Sequence, residues 1–297
     1  MSNTSFRGYL YPQGLDIIGN EIARLSTHSK TFNTMDILIK LFNCLDLTTL
    51  QTTDTLSSVA EMIRKVNELP VKYPTVGQVG AICVYPSMVK AVKNSLKDTN
   101  IHIASVSGGF PSSQTFLDVK VLEAKMAIEQ GANEIDIVIP VWAFLEEGFE
   151  VVYDEVRAQK ELAGNNVAVK VILESGVLND PRAIFEASII AMEAGADFIK
   201  TSTGKMQPAA TLEAAYVMTY AIKLFYQKTG KKVGFKPAGG IQNTELALNY
   251  LAVLLHHLDE SWFNNSLFRI GASSLANQII KDVLYFDSGQ HVAVAYF

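Results

Sequence analysis

Gln130-Gly131-Ala132-Asn133-Glu134-Ile135-Asp136-Ile137-Val138 and Ala194-Gly195-Ala196-Asp197-Phe198-Ile199-Lys200-Thr201 read as one structural unit written twice. In each, a glycine ends a helical pattern, a short turn follows, and an apolar run of strand length begins. Five residues beyond the two glycines stand Asp136 and Lys200. If the units superimpose, an acid and an amine hold equivalent positions on two even-numbered strands. Alternate strands of a closed parallel barrel fill one interior layer, so the two side chains are expected to face each other inside.

Working outward, the same alternation covers most of the chain. Candidate strands are Leu41–Leu47, Val79–Tyr85, Ile101–Ser107, Glu134–Ile139, Val167–Leu173, Asp197–Thr201, Lys232–Lys236 and Leu267–Ile270. Helical patterns separate them. Asp54–Leu69 carries Leu56, Val59, Ile63, Val66 and Leu69 on one stripe. Asp180-Pro181 supplies an N-cap and a first-turn proline. Eight strand–helix units imply parallel strands with right-handed crossovers, and a (β/α)8 TIM barrel fits that count. An open doubly wound sheet is the alternative, weakened because no G-x-G-x-x-G follows the first strand. A single barrel domain over 1–297 is expected, with residues 1–35 as a helical extension (apolar Leu15, Ile18, Ile22 and Leu25) under the barrel and 282–297 as a tail.

Composition narrows the function. With 48% hydrophobic and 19% charged residues the chain can bury a large core, and its −5 net charge lacks any polybasic run. Neither nucleic acid nor a membrane is expected as partner. Cys44 and Cys83 are too few for a disulfide framework, and the N-terminal MSNTSFRGYLYPQG has no apolar signal core, so a cytoplasmic location is expected. His28, His102, His256, His257 and His291 show no metal-ligand spacing, and His256 and His257 read as helix surface. No metal or other cofactor is expected. Exposed aromatics near Trp262 and Phe263 leave room for a homodimer.

Barrel interiors are normally Val, Ile and Leu, yet period-two reading turns several ionisable groups inward. Lys170 and Glu174 share one face of strand five; Lys200 and Lys236 stand on adjacent strand ends, Asp136 lies on strand four and Asp46 at the end of strand one. Unpaired burial of such charges costs several kcal/mol per ion, so the cluster must be paired, watered or functional. Pairing with Glu174 or Asp136 would satisfy Lys170. A lysine amine attacks a carbonyl only when neutral, and its reference pKa near ~10.4 keeps it protonated at pH 7. A second ammonium nearby and desolvation both favour the neutral amine. Schiff-base chemistry, with Asp136 moving protons, therefore accounts for lysines that anion binding alone does not, although the residues leave open which of Lys170 and Lys200 forms the imine.

Thr203-Gly204-Lys205, Gly239-Gly240 and Gly271-Ala272-Ser273-Ser274 follow strands six, seven and eight as bare-backbone loops. The last opens a helix whose free N–H groups attract an anion, which points to a phosphorylated substrate. A different sugar phosphate, or a barrel that only binds such anions, remains open on these residues. Cys83 reads as a small buried hydrophobe.

Phe198-Ile199-Lys200-Thr201-Ser202-Thr203-Gly204-Lys205, Gly234-Phe235-Lys236-Pro237-Ala238-Gly239-Gly240 and Phe268-Arg269-Ile270-Gly271-Ala272-Ser273 together resemble the deoxyribose-phosphate aldolases, a class I aldolase family. Asp46-Leu47-Thr48-Thr49-Leu50, Cys83-Val84-Tyr85-Pro86 and Glu134-Ile135-Asp136-Ile137-Val138 match the same pattern. The resemblance implies a metal-free barrel that reversibly cleaves 2-deoxy-D-ribose 5-phosphate to glyceraldehyde 3-phosphate and acetaldehyde in deoxyribonucleoside catabolism. It implies Lys200 as the Schiff-base lysine, Lys236 as the neighbour that depresses its pKa, Asp136 as proton relay and Lys170 as a further charged pocket residue. Gly204, Lys205, Gly239, Gly240, Ser273 and Ser274 match the phosphate side, and Asp46, Thr48, Cys83, Thr203 and Gly271 join the substrate pocket through their motifs. Two features depart from the family. The C-terminal tyrosine that reaches the site in some members is here the penultimate Tyr296, and Pro140-Val141-Trp142 is expected to reshape the wall near Asp136.

Overall fold

The computed structural model describes residues 6–12, 14–15, 18–290 and 292–297; the first five residues, Gln13, Asp16, Ile17 and His291 lie outside the described set, and with them part of the expected N-terminal extension and one of the five histidines. Helices α1 (Gly19–His28) and α2 (Met35–Asn43) precede the barrel. Its strands are β1 (Leu45–Thr48), β2 (Ala81–Val84), β3 (His102–Ser107), β4 (Glu134–Val138), β5 (Ala168–Ile172), β6 (Phe198–Lys200), β7 (Gly234–Lys236) and β8 (Ile270–Ala272). Helices α3 (Leu56–Lys72), α4 (Val89–Ser95), α5 (Leu117–Glu129), α6 (Val141–Leu145), α7 (Phe149–Ala163), α8 (Ser175–Leu178), α9 (Pro181–Glu193), α10 (Leu212–Thr229), α11 (Thr244–His257) and α12 (Leu275–Ser288) follow the strands in turn.

All strand pairs are parallel, in the order β7-β6-β5-β4-β3-β2-β1-β8. The seam closes through the bridges Phe235–Phe268 and Ala238–Gly271, with hydrogen bonds from Arg269 N to Phe235 O (3.1 Å) and Gly271 N to Pro237 O (3.0 Å). The result is the expected TIM barrel rather than an open sheet.

The two echoing units share their backbone. Gly131 (φ 115°) and Gly195 (φ 102°) sit in the left-handed region that ends α5 and α9. The residue after each glycine donates back into its helix, Ala132 to Ala127 and Ala196 to Ala191, both at 3.1 Å. The next side chain then accepts an N–H from the preceding strand: Ile103 donates to Asn133 at 2.8 Å and Val169 to Asp197 at 2.7 Å. One glycine-and-acceptor device thus sets the phase of both β4 and β6.

Several boundaries differ from the sequence expectation. Residues 41–43 belong to α2, because Leu38, Leu41 and Phe42 form a buried stripe at helical spacing; an apolar run that short suits either structure. Strand eight starts three residues late, since Leu267 and Phe268 both donate to Asn264 O in a turn. Helix α3 begins at Leu56, capped by a reciprocal Thr55–Ser58 box, and Leu56 itself is exposed. Helix α1 does not lie under the barrel: it packs on the outer helices α10 and α11, with Ser29 Oγ 2.5 Å from Asn249 Oδ1. The expected tail from 282 is helical as far as Ser288. Trp262 and Phe263 are buried, so that face presents no aromatic pair to a second copy. His257 is buried against Thr219 rather than on the surface, and burial pushes its imidazole down to about 3. No described helix is long and apolar enough to cross a membrane.

Asp180 caps α9 by accepting from Arg182 N (3.4 Å) and Ala183 N (3.1 Å). Asp180→Ala is expected to lower unfolding stability by about 1 kcal/mol in urea titrations; an unchanged midpoint would count against the cap.

Candidate active site

Charge enters the barrel because the strand phase leaves it nowhere else to point. The register pairs Asp136 with Lys170 across β4 and β5, and Lys200 with Lys236 across β6 and β7. Lys170, Lys236, Asp136 and Asp46 are fully buried and Lys200 is 3% exposed. Lys200 Nζ donates to Asp136 Oδ2 at 2.8 Å, and Lys236 Nζ donates to the same oxygen at 2.7 Å. Lys170 Nζ takes the other oxygen, Oδ1, at 2.8 Å and Glu134 Oε2 at 2.6 Å. Lys236 also bonds Asp46 Oδ2. Beneath them Arg269 donates to Asp46 Oδ1 (2.5 Å) and Glu134 Oε1 (2.7 Å).

This arrangement splits the three lysines. Burial pushes the Lys200 ammonium down; its one carboxylate, Asp136, opposes that and the Lys236 ammonium reinforces it, so its pKa lies below the ordinary lysine value. Burial also disfavours charge on Lys170 and Lys236, but two close carboxylates apiece outweigh it and raise both. Burial alone would raise Asp136, yet the ammonium groups of Lys170, Lys200 and Lys236 hold it well below the usual carboxylate range. Glu134 and Asp46 are lowered for the same reason, by Lys170 and Arg269 and by Lys236 and Arg269.

Above the network lies a cleft of about 200 Å³ at the C-terminal ends of the strands. Lys200 reaches it; Lys170, Lys236, Asp136, Asp46 and Cys83 do not line it. Thr48, Thr203, Gly204, Lys205, Gly239, Gly240, Gly271, Ser273 and Ser274 line its wall, as sequence reasoning placed them. Leu50, Gln51 and Gln242 line it too and were missed; Leu50 ends one quoted motif, Gln51 directly follows it and Gln242 stands two residues beyond Gly240, which is the signal that could have found them. Cys83 is buried beside the lysines, and burial raises its thiol.

Not every loop N–H is bare. Gly271 N–H closes the barrel seam, Thr203 N–H and hydroxyl both engage Glu174 (3.1 and 2.5 Å), and Lys205 N–H donates to Thr203 Oγ1. Glu174 adopts φ 56°, so it leaves the strand-five face and braces the β6 loop instead of pairing with Lys170. That leaves the N–H groups of Gly204, Gly239, Gly240, Ser273 and Ser274 without a protein acceptor among the described residues. The glycines are required: at φ 88°, a Cβ on Gly239 would lie 2.7 Å from Ala209 Cβ and 3.1 Å from Gly204 Cα. Ser273 and Ser274 stand at the N-terminus of the 14-residue α12, whose dipole favours an anion there. Lys205 Nζ bonds the Leu50 carbonyl across the cleft mouth.

Tyr296 does not reach the cleft: its hydroxyl donates to Lys65 O at 2.8 Å on α3, and Asn277 Oδ1 accepts its N–H. Trp142 is half exposed in α6 and stays outside the cleft lining, so it does not reshape the wall beside Asp136.

A family model for DeoC/LacD family aldolases matches residues 41–253. A Caenorhabditis elegans relative is 43% identical over 267 residues, covering 89% of this chain and 87% of its own. The deoxyribose-phosphate aldolase of Homo sapiens is 40% identical over 266 residues, 86% of this chain and 83% of its own. A tetrameric deoxyribose phosphate aldolase structure from Aeropyrum pernix superimposes with a TM-score of 0.67 at 24% identity, over 92% of this chain and 99% of that one, and shares the fold.

The lowered carboxylates have a consequence for stability. Unfolded Asp and Glu bind protons near pH ~4, whereas Asp46, Glu134 and Asp136 stay charged in the fold, so unfolding takes up protons as pH falls through 4 and stability drops with it. Urea titrations from pH 3 to 6 should show that slope, and Asp136→Asn should flatten it by up to ~1.4 kcal/mol per pH unit; equal slopes in both proteins would contradict the assignment.

Proposed function

The chain belongs to the DeoC/LacD aldolase family, and from that premise we propose that it is a class I aldolase that reversibly cleaves 2-deoxy-D-ribose 5-phosphate to glyceraldehyde 3-phosphate and acetaldehyde through an imine on Lys200. The observation that carries this reading is the split among the lysines: Lys200 alone combines access to the cleft with a depressed ammonium.

The geometry supports the following roles. A neutral Lys200 amine adds to the substrate aldehyde, and loss of water leaves an iminium. Removal of the C3 hydroxyl proton then breaks the C2–C3 bond; the bonding pair moves into the iminium, which becomes an enamine, and glyceraldehyde 3-phosphate leaves. Protonation of the enamine at C2 and hydrolysis release acetaldehyde and restore the amine. Asp136, 2.8 Å from Lys200 Nζ, is the group placed to relay protons at the amine. Lys236 acts as the neighbouring positive charge, and Lys170 holds Asp136 in place through its other oxygen. Asp46 in turn fixes Lys236.

The 5-phosphate is assigned to the loops after β6, β7 and β8, where Gly204, Gly239, Gly240, Ser273 and Ser274 offer free N–H groups and Lys205 a charge. Thr48, at the end of the neighbouring strand β1, also lines the cleft and is assigned to the sugar. A small phosphorylated sugar and acetaldehyde are then the partners, deoxyribonucleoside catabolism the physiological setting, and the cytoplasm, consistent with free thiols at Cys44 and Cys83, the compartment. No metal or organic cofactor takes part in these steps.

Borohydride added with acetaldehyde should attach irreversibly to one lysine, recovered by peptide mapping at Lys200; an adduct elsewhere refutes the assignment. Lys200→Leu should abolish turnover. Lys236→Leu should cut turnover at pH 7 by tenfold or more and leave slow imine formation that improves at high pH, because losing the neighbouring ammonium lets Lys200 hold its proton more tightly. An equal loss at every pH would remove the electrostatic role of Lys236.

A further inference from the structure

The cluster under the cleft does not balance. Among the described residues, four cations, Lys170, Lys200, Lys236 and Arg269, interlock with three carboxylates, Asp46, Glu134 and Asp136. With every group ionised the interior would hold one uncompensated positive charge, an arrangement costly in a dry site. The cheapest remedy is for one cation to release its proton. Arginine cannot do so, since its pKa exceeds 12. Lys170 and Lys236 each touch two carboxylates within 2.8 Å, whereas Lys200 touches one oxygen, shared with Lys236.

Arg269 makes the count odd. It enters from the opposite end of the barrel to the cleft: Glu134 opens β4, and Gly80, just before β2, lies close enough that an added Cβ would sit 3.5 Å from Arg269 Cζ. Its guanidinium is 1% exposed, bonds Asn265 O, and occupies one oxygen of Asp46 and both of Glu134 (2.7 and 3.3 Å). Three of the four oxygens of those two carboxylates are therefore engaged before any lysine reaches them. We infer that Arg269, which has no bond to Lys200, is a positioning residue that supplies the surplus charge and so makes Lys200 the lysine able to attack a carbonyl. This rests on the imine reading above and goes beyond it by assigning the cause to a residue on the far side of the barrel.

Cys44, Cys83, His102 and Lys205, the other titratable groups facing the cluster, add no negative charge to the count. Cys44 beside Arg269 and Cys83 beside Lys236 and Lys200 are thiols raised by burial and stay neutral. His102 Nδ1 lies 2.9 Å from Glu134 Oε1 at the solvent edge, and when protonated adds to the surplus. On the cleft side, Lys205 is turned to the Leu50 carbonyl.

The test is the pH dependence of imine trapping with acetaldehyde and cyanoborohydride, followed by intact mass and assigned to Lys200 by peptide mapping. Arg269→Lys keeps the charge and should keep the acid limb of the wild type. Arg269→Met restores balance and should move that limb up by about one pH unit, a roughly tenfold slower trapping at pH 7 that recovers at higher pH. Glu134→Gln enlarges the surplus and should move the limb down. Thermal melts identify any variant that fails to fold; if Arg269→Met does, the downward shift of Glu134→Gln and the unmoved limb of Arg269→Lys still decide. A folded Arg269→Met with an unmoved limb, or Glu134→Gln with an unmoved or raised one, overturns the inference. Absence of any wild-type adduct at Lys200 would instead overturn the imine reading itself.

Discussion

A carboxylate shared by three ammonium groups governs this structure. Asp136 cannot satisfy Lys170, Lys200 and Lys236 equally, because its two oxygens must serve three donors. Lys170 gains a second partner in Glu134 and Lys236 gains one in Asp46, while Lys200 gains none among the carboxylates of the described residues. Low dielectric magnifies such inequalities, and the amine with the fewest counter-charges becomes the one that can stand neutral. The proposed chemistry thus draws on competition for negative charge within a buried interior.

The barrel makes that competition permanent. Strand phase is fixed at β4 and β6 by a glycine that ends the helix and a side chain that accepts from the neighbouring strand. Closure at the β7–β8 seam brings Arg269 under the network. Thr201 and Ser202 both bond the Ala238 carbonyl, tying the end of β6 to the end of β7 directly above the lysines. Gly204 and Gly239 then approach each other closely enough to leave a backbone-lined cleft rather than a packed core. Rigid packing below and bare amides above are the two halves of one site.

Much of this was legible in the chain itself. Counting five residues from Gly131 and Gly195 reached Asp136 and Lys200 because strand alternation has period two and each glycine sets its phase. The charged inward residues stood out against the Val, Ile and Leu expected in a barrel. Other features were hidden for physical reasons. Arg269 and Glu134 lie at the end of the barrel away from the strand termini where sites are sought, so their part in the network could not be read from motif position. Glu174 shares the parity of Lys170, but a left-handed backbone turns it to Thr203, and parity fails where the strand ends. The choice between Lys170 and Lys200 needed the family resemblance at the sequence level, whereas in the fold only Lys200 of the two meets the cleft, which supports the proposed choice. Apolar runs at residues 41–43 and 267–268 suit helix, turn or strand alike, and tertiary packing decided them.

Imine formation as proposed depends on one amine, Lys200, that loses its proton more readily than its neighbours. The most direct measurement is an NMR titration of the wild-type protein carrying lysine labelled at the ε-carbon, with Lys200→Leu used to assign its signal. The account predicts that the Lys200 resonance titrates below the ~10.4 of ordinary lysine while those of Lys170 and Lys236 remain in the protonated position beyond it. A Lys200 signal that stays protonated alongside the other two up to pH 10 would contradict it.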